Sequence, residues 1–211
     1  MVVVIALEFF ATVDGVPLFA TDRLLYFKEA AAGLNPLAYY IAKLLVHLPM
    51  MVVHPLLFMV AYYMVTSPLA SFGRLFASVL GLQFACSGLG YVIAMLGLAN
   101  SSMVVVFVCV LGLLFSGLDP SMSQLKDIMG GFAVFMYCLS PNRWAQEAMV
   151  DAEVIGMFEY GYKEVGQAFL DRYEYTVENF GTCIYALAII GIASRILGFI
   201  LMVAIDRNKQ Q

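Results

Sequence analysis

The sequence predicts an all-α polytopic membrane protein with about five transmembrane helices, an amphipathic connecting helix and a re-entrant or extracellular helical segment. Three observations carry that prediction. Of 211 residues, 63% are hydrophobic and 12% charged. Globular domains run about 45–50% apolar and about 25% charged. Apolar runs of roughly 20 residues recur, the length a helix needs to cross a hydrocarbon core about 30 Å thick. Basic residues gather in two places, at Arg23, Lys28 and Lys43 and again at Arg207 and Lys209. The positive-inside rule expects such groups on the cytoplasmic side.

Residues 1–20 form the first candidate span. Glu8 and Asp14 interrupt it, and it lacks the basic n-region of a signal peptide. It reads as a span entered partway, so the chain is expected to be a fragment or the C-terminal part of something longer. Residues 22–34 carry charge and a run of alanines, which predicts a short helix on the cytoplasmic side. Asn35-Pro36 is the expected stop before the next span. Residues 37–65 form that span despite Lys43, His47, Pro49, His54 and Pro55. The two prolines either kink it or shape a cavity.

Residues 75–98 hold no charge and form the next span. Residues 101–118, "SSMVVVFVCVLGLLFSGL", form another. Residues 120–181 are read as a re-entrant and extracellular segment. Within it, 128–139 ("IMGGFAVFMYCL") is apolar but about half the spanning length, so it inserts partway or lies at the interface. Residues 140–181 carry Glu147, Asp151, Glu153, Glu159, Glu164, Asp171, Glu174 and Glu178 against Arg143, Lys163 and Arg172. Helices are expected over 143–154 and 163–174. Residues 182–205 form the last span and 206–211 a cytoplasmic tail. An even number of crossings between the two basic groups leaves both on one side.

Several chemistries lack their residues. No G-x-x-x-x-G-K-[ST] loop, H-E-x-x-H or G-x-S-x-G occurs. No catalytic residues are therefore assigned, the chain is not expected to be an enzyme by itself, and it is expected to hold no cofactor or metal of its own. No basic cluster suggests nucleic acid. Cys86 and Cys109 lie in apolar runs and read as small packing residues. Cys138 and Cys183 could meet on an oxidising side. His47 and His54 are seven apart and share one helix face, where packing is the expected role. Ser194 and Gly198 have the small-xxx-small spacing that lets helices approach closely. Arg195 stands out, because a charge deep in a span marks a pathway or a pair. Glu8 and Asp14 are its candidate partners, and snorkelling to the cytoplasmic face is the alternative.

The stretch "TDRLLYFKEAAAGLNPLAYYIAKLLVHLPMMVVHPLLFMVAYYM" resembles the second half of the membrane domain of ABC transporters of the G (White/pleiotropic drug resistance) family, an ABC-2 type domain. The matching residues are Asp22-Arg23, Tyr26, Lys28-Glu29, Gly33, Tyr39-Tyr40, Lys43, Leu48-Pro49, Pro55 and Tyr62-Tyr63-Met64. "LLFSG" at 113–117, "LSPNRWAQEAMVDAE" at 139–153 and "GIASRILGFILMVAIDRNKQ" near the end continue the resemblance in order.

This resemblance implies an ATP-driven exporter. Two membrane domains would form a cavity for lipid-like or amphipathic substrates and move them by alternating access. It implies that the connecting helix meets an ATP-binding domain through Asp22, Arg23, Lys28 and Glu29, unless those charges only mark the membrane boundary. It places Phe10, Val106, Val110, Leu113 and Leu118 at the cavity. Departures from the family pattern are that the ATP-binding domain and first span are expected to be absent from this stretch, that Lys28 occupies a usual arginine position, and that Asp119 replaces a leucine beside Leu118. ATP and magnesium would enter only through a nucleotide-binding domain in the same longer chain or in trans. The other expected partners are membrane lipid and a second transporter half. The other reading is a non-transporting remnant that dimerises with complete half-transporters and regulates them.

Overall fold

The computed structural model describes residues 2–97, 100–116, 122–173 and 179–205. Helices α1 (Val2–Ala20), α2 (Arg23–Ala31), α3 (Pro36–Thr66), α4 (Phe72–Leu96) and α5 (Ser101–Leu114) come first. They are followed by α6 (Met122–Met129), α7 (Gly131–Leu139), α8 (Pro141–Glu159), α9 (Lys163–Tyr173) and α10 (Phe180–Ile205). Among the described residues there is no strand. The fold is all-α and polytopic. Helices α3, α4 and α10 are long and apolar enough to cross a membrane. At about 1.5 Å per residue, α1 with its 19 residues is about 28 Å long and α5 with its 14 is about 21 Å.

Helix α4 is the axis of the bundle. It packs against α1 on one side and α10 on the other, with α3, α5 and α8 around them. Small residues make the approach possible. A methyl group on Gly15 of α1 would sit 2.6 Å from the Ser87 carbonyl oxygen of α4, and one on Gly90 would strike the Thr12 carbonyl. Lipid gives no hydrophobic push between helices, so close backbone contact of this kind carries the association. Across α4 and α10, Gly88 lies against Ser194, and Gly198 lies beneath the Tyr40 hydroxyl. By contrast α3 is mostly exposed, and residues such as Val46, Leu57, Met64 and Val65 face outward.

The two ends of the bundle are closed differently. At one end Phe19, Tyr26, Tyr40, Tyr91 and Met202 form a single buried cluster. It joins the ends of α1, α4 and α10 to α2 and the start of α3. At the other end α8 holds the α3–α4 connector. Glu153 Oε1 accepts from the Leu69 amide at 2.9 Å and Oε2 from the Ala70 amide at 3.1 Å. Gly156 lies directly beneath the Leu69 carbonyl, with no room for a side chain. Arg74 donates to Glu159 at 3.0 Å.

Several local expectations change. The run 128–139 is split at Gly130, whose φ of 58° is in the region open to glycine, so α6 and α7 are separate helices. Helix α2 ends on Gly33 at φ 98°, where the Leu34 amide donates to the Glu29 carbonyl. Asn35 is therefore not its stop. Its side chain accepts from the Leu37 amide at 2.9 Å and caps α3, with Pro36 in the first turn. Helix α3 runs unbroken through Pro49 and Pro55. All four cysteines are free; Cys138 is exposed and Cys183 buried, so the two are not paired.

Candidate functional site

A belt of polar side chains crosses the bundle from α1 to α10. The seven-residue spacing of His47 and His54 puts both on the face of α3 that meets α1. There they share one acceptor: His47 Nε2 lies 3.0 Å and His54 Nδ1 3.2 Å from Asp14 Oδ2. The other nitrogen of His47 lies 2.6 Å from the Tyr91 hydroxyl. A neutral His47 that donates to Asp14 accepts there from Tyr91; a charged one donates at both nitrogens. Tyr91 and Arg195 both reach the Met51 sulfur, at 3.8 and 3.6 Å.

Arg195 closes the belt. Its Nη1 donates to the Phe84 carbonyl at 2.7 Å and to the Gly191 carbonyl at 2.8 Å, and its Nη2 to the Ser87 hydroxyl at 3.0 Å. The guanidinium lies 3.8 Å above the Phe84 ring centre and 5.3 Å from that of Tyr91. Carbonyls, a hydroxyl and aromatic faces therefore hold this cation. Its expected carboxylate partners are engaged elsewhere. Asp14 serves the two histidines, and Glu8 accepts from the Asn142 amide at 2.5 Å.

Beside the belt, Leu7, Phe10, Val13, Leu57 and Phe58 wall a groove of about 380 Å³ whose polar lining is Asp14, His54 and Gln83. Val13 also borders a second recess, shared with Ser101, Ser102 and Val105 of α5. The outer face of α1 thus lies between α3 and α5. Phe10 is 67% exposed on it, and Val106 and Val110 of α5 are 50% and 56% exposed. Leu113 is half-buried. Leu118 and Asp119 lie outside the described residues, as does the basic tail.

The four charges of the connecting helix are not equivalent. Asp22 pairs with Lys43 of α3. Lys28 is exposed and Glu29 half-buried. The side chain of Arg23 lies outside the described residues. Behind them Tyr26 is buried against Tyr39, ring centres 4.8 Å apart. The next residue, Tyr40, donates its hydroxyl to the Arg195 carbonyl at 2.7 Å. A packed path therefore runs from α2 through the start of α3 to α10.

On α8, Glu147 and Asp151 are both buried, at 2% and 0% exposure. Burial pushes the Asp151 carboxyl up to about 7, and the neighbouring Glu147 charge adds to the rise. Sequence reading missed this pair and the Asp14–histidine contacts. The i,i+4 spacing of Glu147 and Asp151 was visible, but nothing in the pattern told an inward from a solvated face.

The ABC-2 type transporter family matches this chain over residues 1–208. The chain is 22% identical to the putative white-brown complex homolog protein 30 of Arabidopsis thaliana, over 97% of this chain and 18% of that protein. It is 25% identical to ABC transporter G family member 28 of the same plant, again over 97% of this chain and 18% of the relative. A probable ATP-dependent permease of Saccharomyces cerevisiae is 28% identical over 90% of this chain and 19% of its own length. The chain therefore spans about a fifth of the length of the curated relatives it matches.

Proposed function

Because the chain belongs to the ABC-2 type transporter membrane-domain family, we propose that it forms part of the translocation pathway of an ATP-driven G-family exporter. It is an integral, multi-pass membrane protein. In the proposed cycle, a nucleotide-binding domain, in the same longer protein or on a partner, hydrolyses ATP and moves α2. A second membrane domain faces α1 and α5, and the pair alternates its cavity between the two sides. The cargo is lipid-like or amphipathic.

One observation supports this reading above the others. The groove beside α1 has apolar and aromatic walls and a small polar lining of Asp14, His54 and Gln83. That division suits a molecule with a tail and a polar head. The exposed Phe10, Val106 and Val110 extend the apolar surface on the neighbouring helix faces. Lys28 and Glu29 are the α2 charges proposed to meet the nucleotide-binding domain, since Asp22 is engaged by Lys43.

The test is ATP hydrolysis in proteoliposomes holding this chain with a nucleotide-binding partner. Amphipathic lipids should stimulate the rate, and Phe10→Ala and Val110→Trp should lower that stimulation several-fold without changing expression. Glu29→Lys should leave hydrolysis but uncouple it from lipid movement. A stimulation that neither cavity variant alters would sink the exporter reading and leave a regulatory, non-transporting partner.

A further inference from the structure

The transport reading leaves one cluster unused. Helix α8 sets Glu147 and Asp151 one turn apart on its buried face, and the first turn of α10 brings Cys183 against them. All three are buried, with Asp151 and Cys183 fully so. One donor atom from each lies within 4.8 Å of the others. Glu147 is fixed from behind. The Asn179 amide donates to its Oε1 at 3.1 Å, and Arg143 Nη2 lies 2.9 Å from its Oε2.

Asp151 is the second observation. Both of its carboxylate oxygens are buried and lack a hydrogen-bond partner among the described residues. A buried carboxylate left unpaired is costly, and native structures rarely keep one without a proton or ligand. Charge balance suggests which ligand. Once the Cys183 thiol gives its proton up on binding, two carboxylates and a thiolate against one guanidinium leave two negative charges, which one divalent cation cancels.

We propose that Glu147, Asp151 and Cys183 bind a zinc-class divalent cation that clamps α8 to α10. A thiolate with two carboxylates suits zinc, with bonds of about 2.3 Å to sulfur and about 2.0–2.2 Å to oxygen. Asn179 and Arg143 orient Glu147 as supporting groups do around metal-bound carboxylates. Binding releases to solvent the Cys183 thiol proton and whatever proton Asp151 holds. Three protein ligands leave a fourth position for water.

The experiment uses the full chain in detergent, stripped with a chelator and dialysed against zinc. Metal analysis should find about one zinc per chain. The thermal midpoint should rise with added zinc, as for any ligand that binds only the folded state. Cadmium in place of zinc should produce thiolate-to-metal absorption in the ultraviolet. Cys183→Ser should abolish that absorption, and the near-isosteric Asp151→Asn should weaken binding at least tenfold. Less than stoichiometric zinc, absorption that survives Cys183→Ser, or unchanged affinity in Asp151→Asn would each overturn the site. A midpoint that responds to acid but not to zinc marks a proton shared by the carboxylates and overturns it equally. If Asp151→Asn does not fold, the wild-type stoichiometry and the Cys183→Ser absorption decide.

Discussion

Arg195 and Asp151 are both ionisable groups set into helix-packed surroundings, and they are treated in opposite ways. Arg195 donates to two carbonyls and a hydroxyl and lies over the Phe84 ring. Asp151 has no hydrogen-bond partner at either oxygen among the described residues. The contrast separates two uses of a buried charge. A satisfied one fixes the positions of the helices that satisfy it. An unsatisfied one is open to a proton or a ligand, the proposed cation in the case of Asp151.

Breaking the satisfied side should have the largest effect. Arg195→Met removes the guanidinium's bonds to the Phe84 and Gly191 carbonyls and to the Ser87 hydroxyl, although Ser87 still donates to the Phe84 carbonyl. A hydrogen bond to a charged group contributes about 1.5–3 kcal/mol. The variant should lose about 3 kcal/mol in detergent unfolding, and its yield in the membrane should fall. An unchanged unfolding midpoint would mean that the belt is not what holds α10. Tyr40→Phe sharpens the point by removing a single bond to the Arg195 carbonyl, for about 1 kcal/mol. Its unfolding curve should shift while keeping its slope. The smallest effect belongs to Asp22→Asn, which breaks the half-exposed pair with Lys43. That loss should stay within about 1 kcal/mol and fade as salt is added. A larger, salt-independent loss would place Asp22 among the structural charges.

Composition and the length of the apolar runs made the all-α membrane fold legible, because lipid admits little else. The long runs at α3, α4 and α10 could be read directly. Arg195 could be identified as exceptional, since a charge in a span is rare. Its partners could not, because backbone carbonyls carry no signature in the sequence. Glu8 and Asp14 were the visible carboxylates, and the fold engages them with Asn142 and with the two histidines. The break at Gly130 was hidden for a related reason: glycine pairs are common in membrane helices, and only the positive φ shows that this one ends a helix. Phe10, Val106 and Val110 were legible as apolar, while their outward direction depends on how α1 and α5 sit against α4.

The grip of Glu153 on the Leu69 and Ala70 amides has a mechanical consequence. Both oxygens of one side chain on α8 are engaged by the link between α3 and α4, and Gly156 seats that link against the same helix. The connected ends of α3 and α4 therefore resist spreading or sliding unless α8 moves with them. An opening at that end would carry the three as one block.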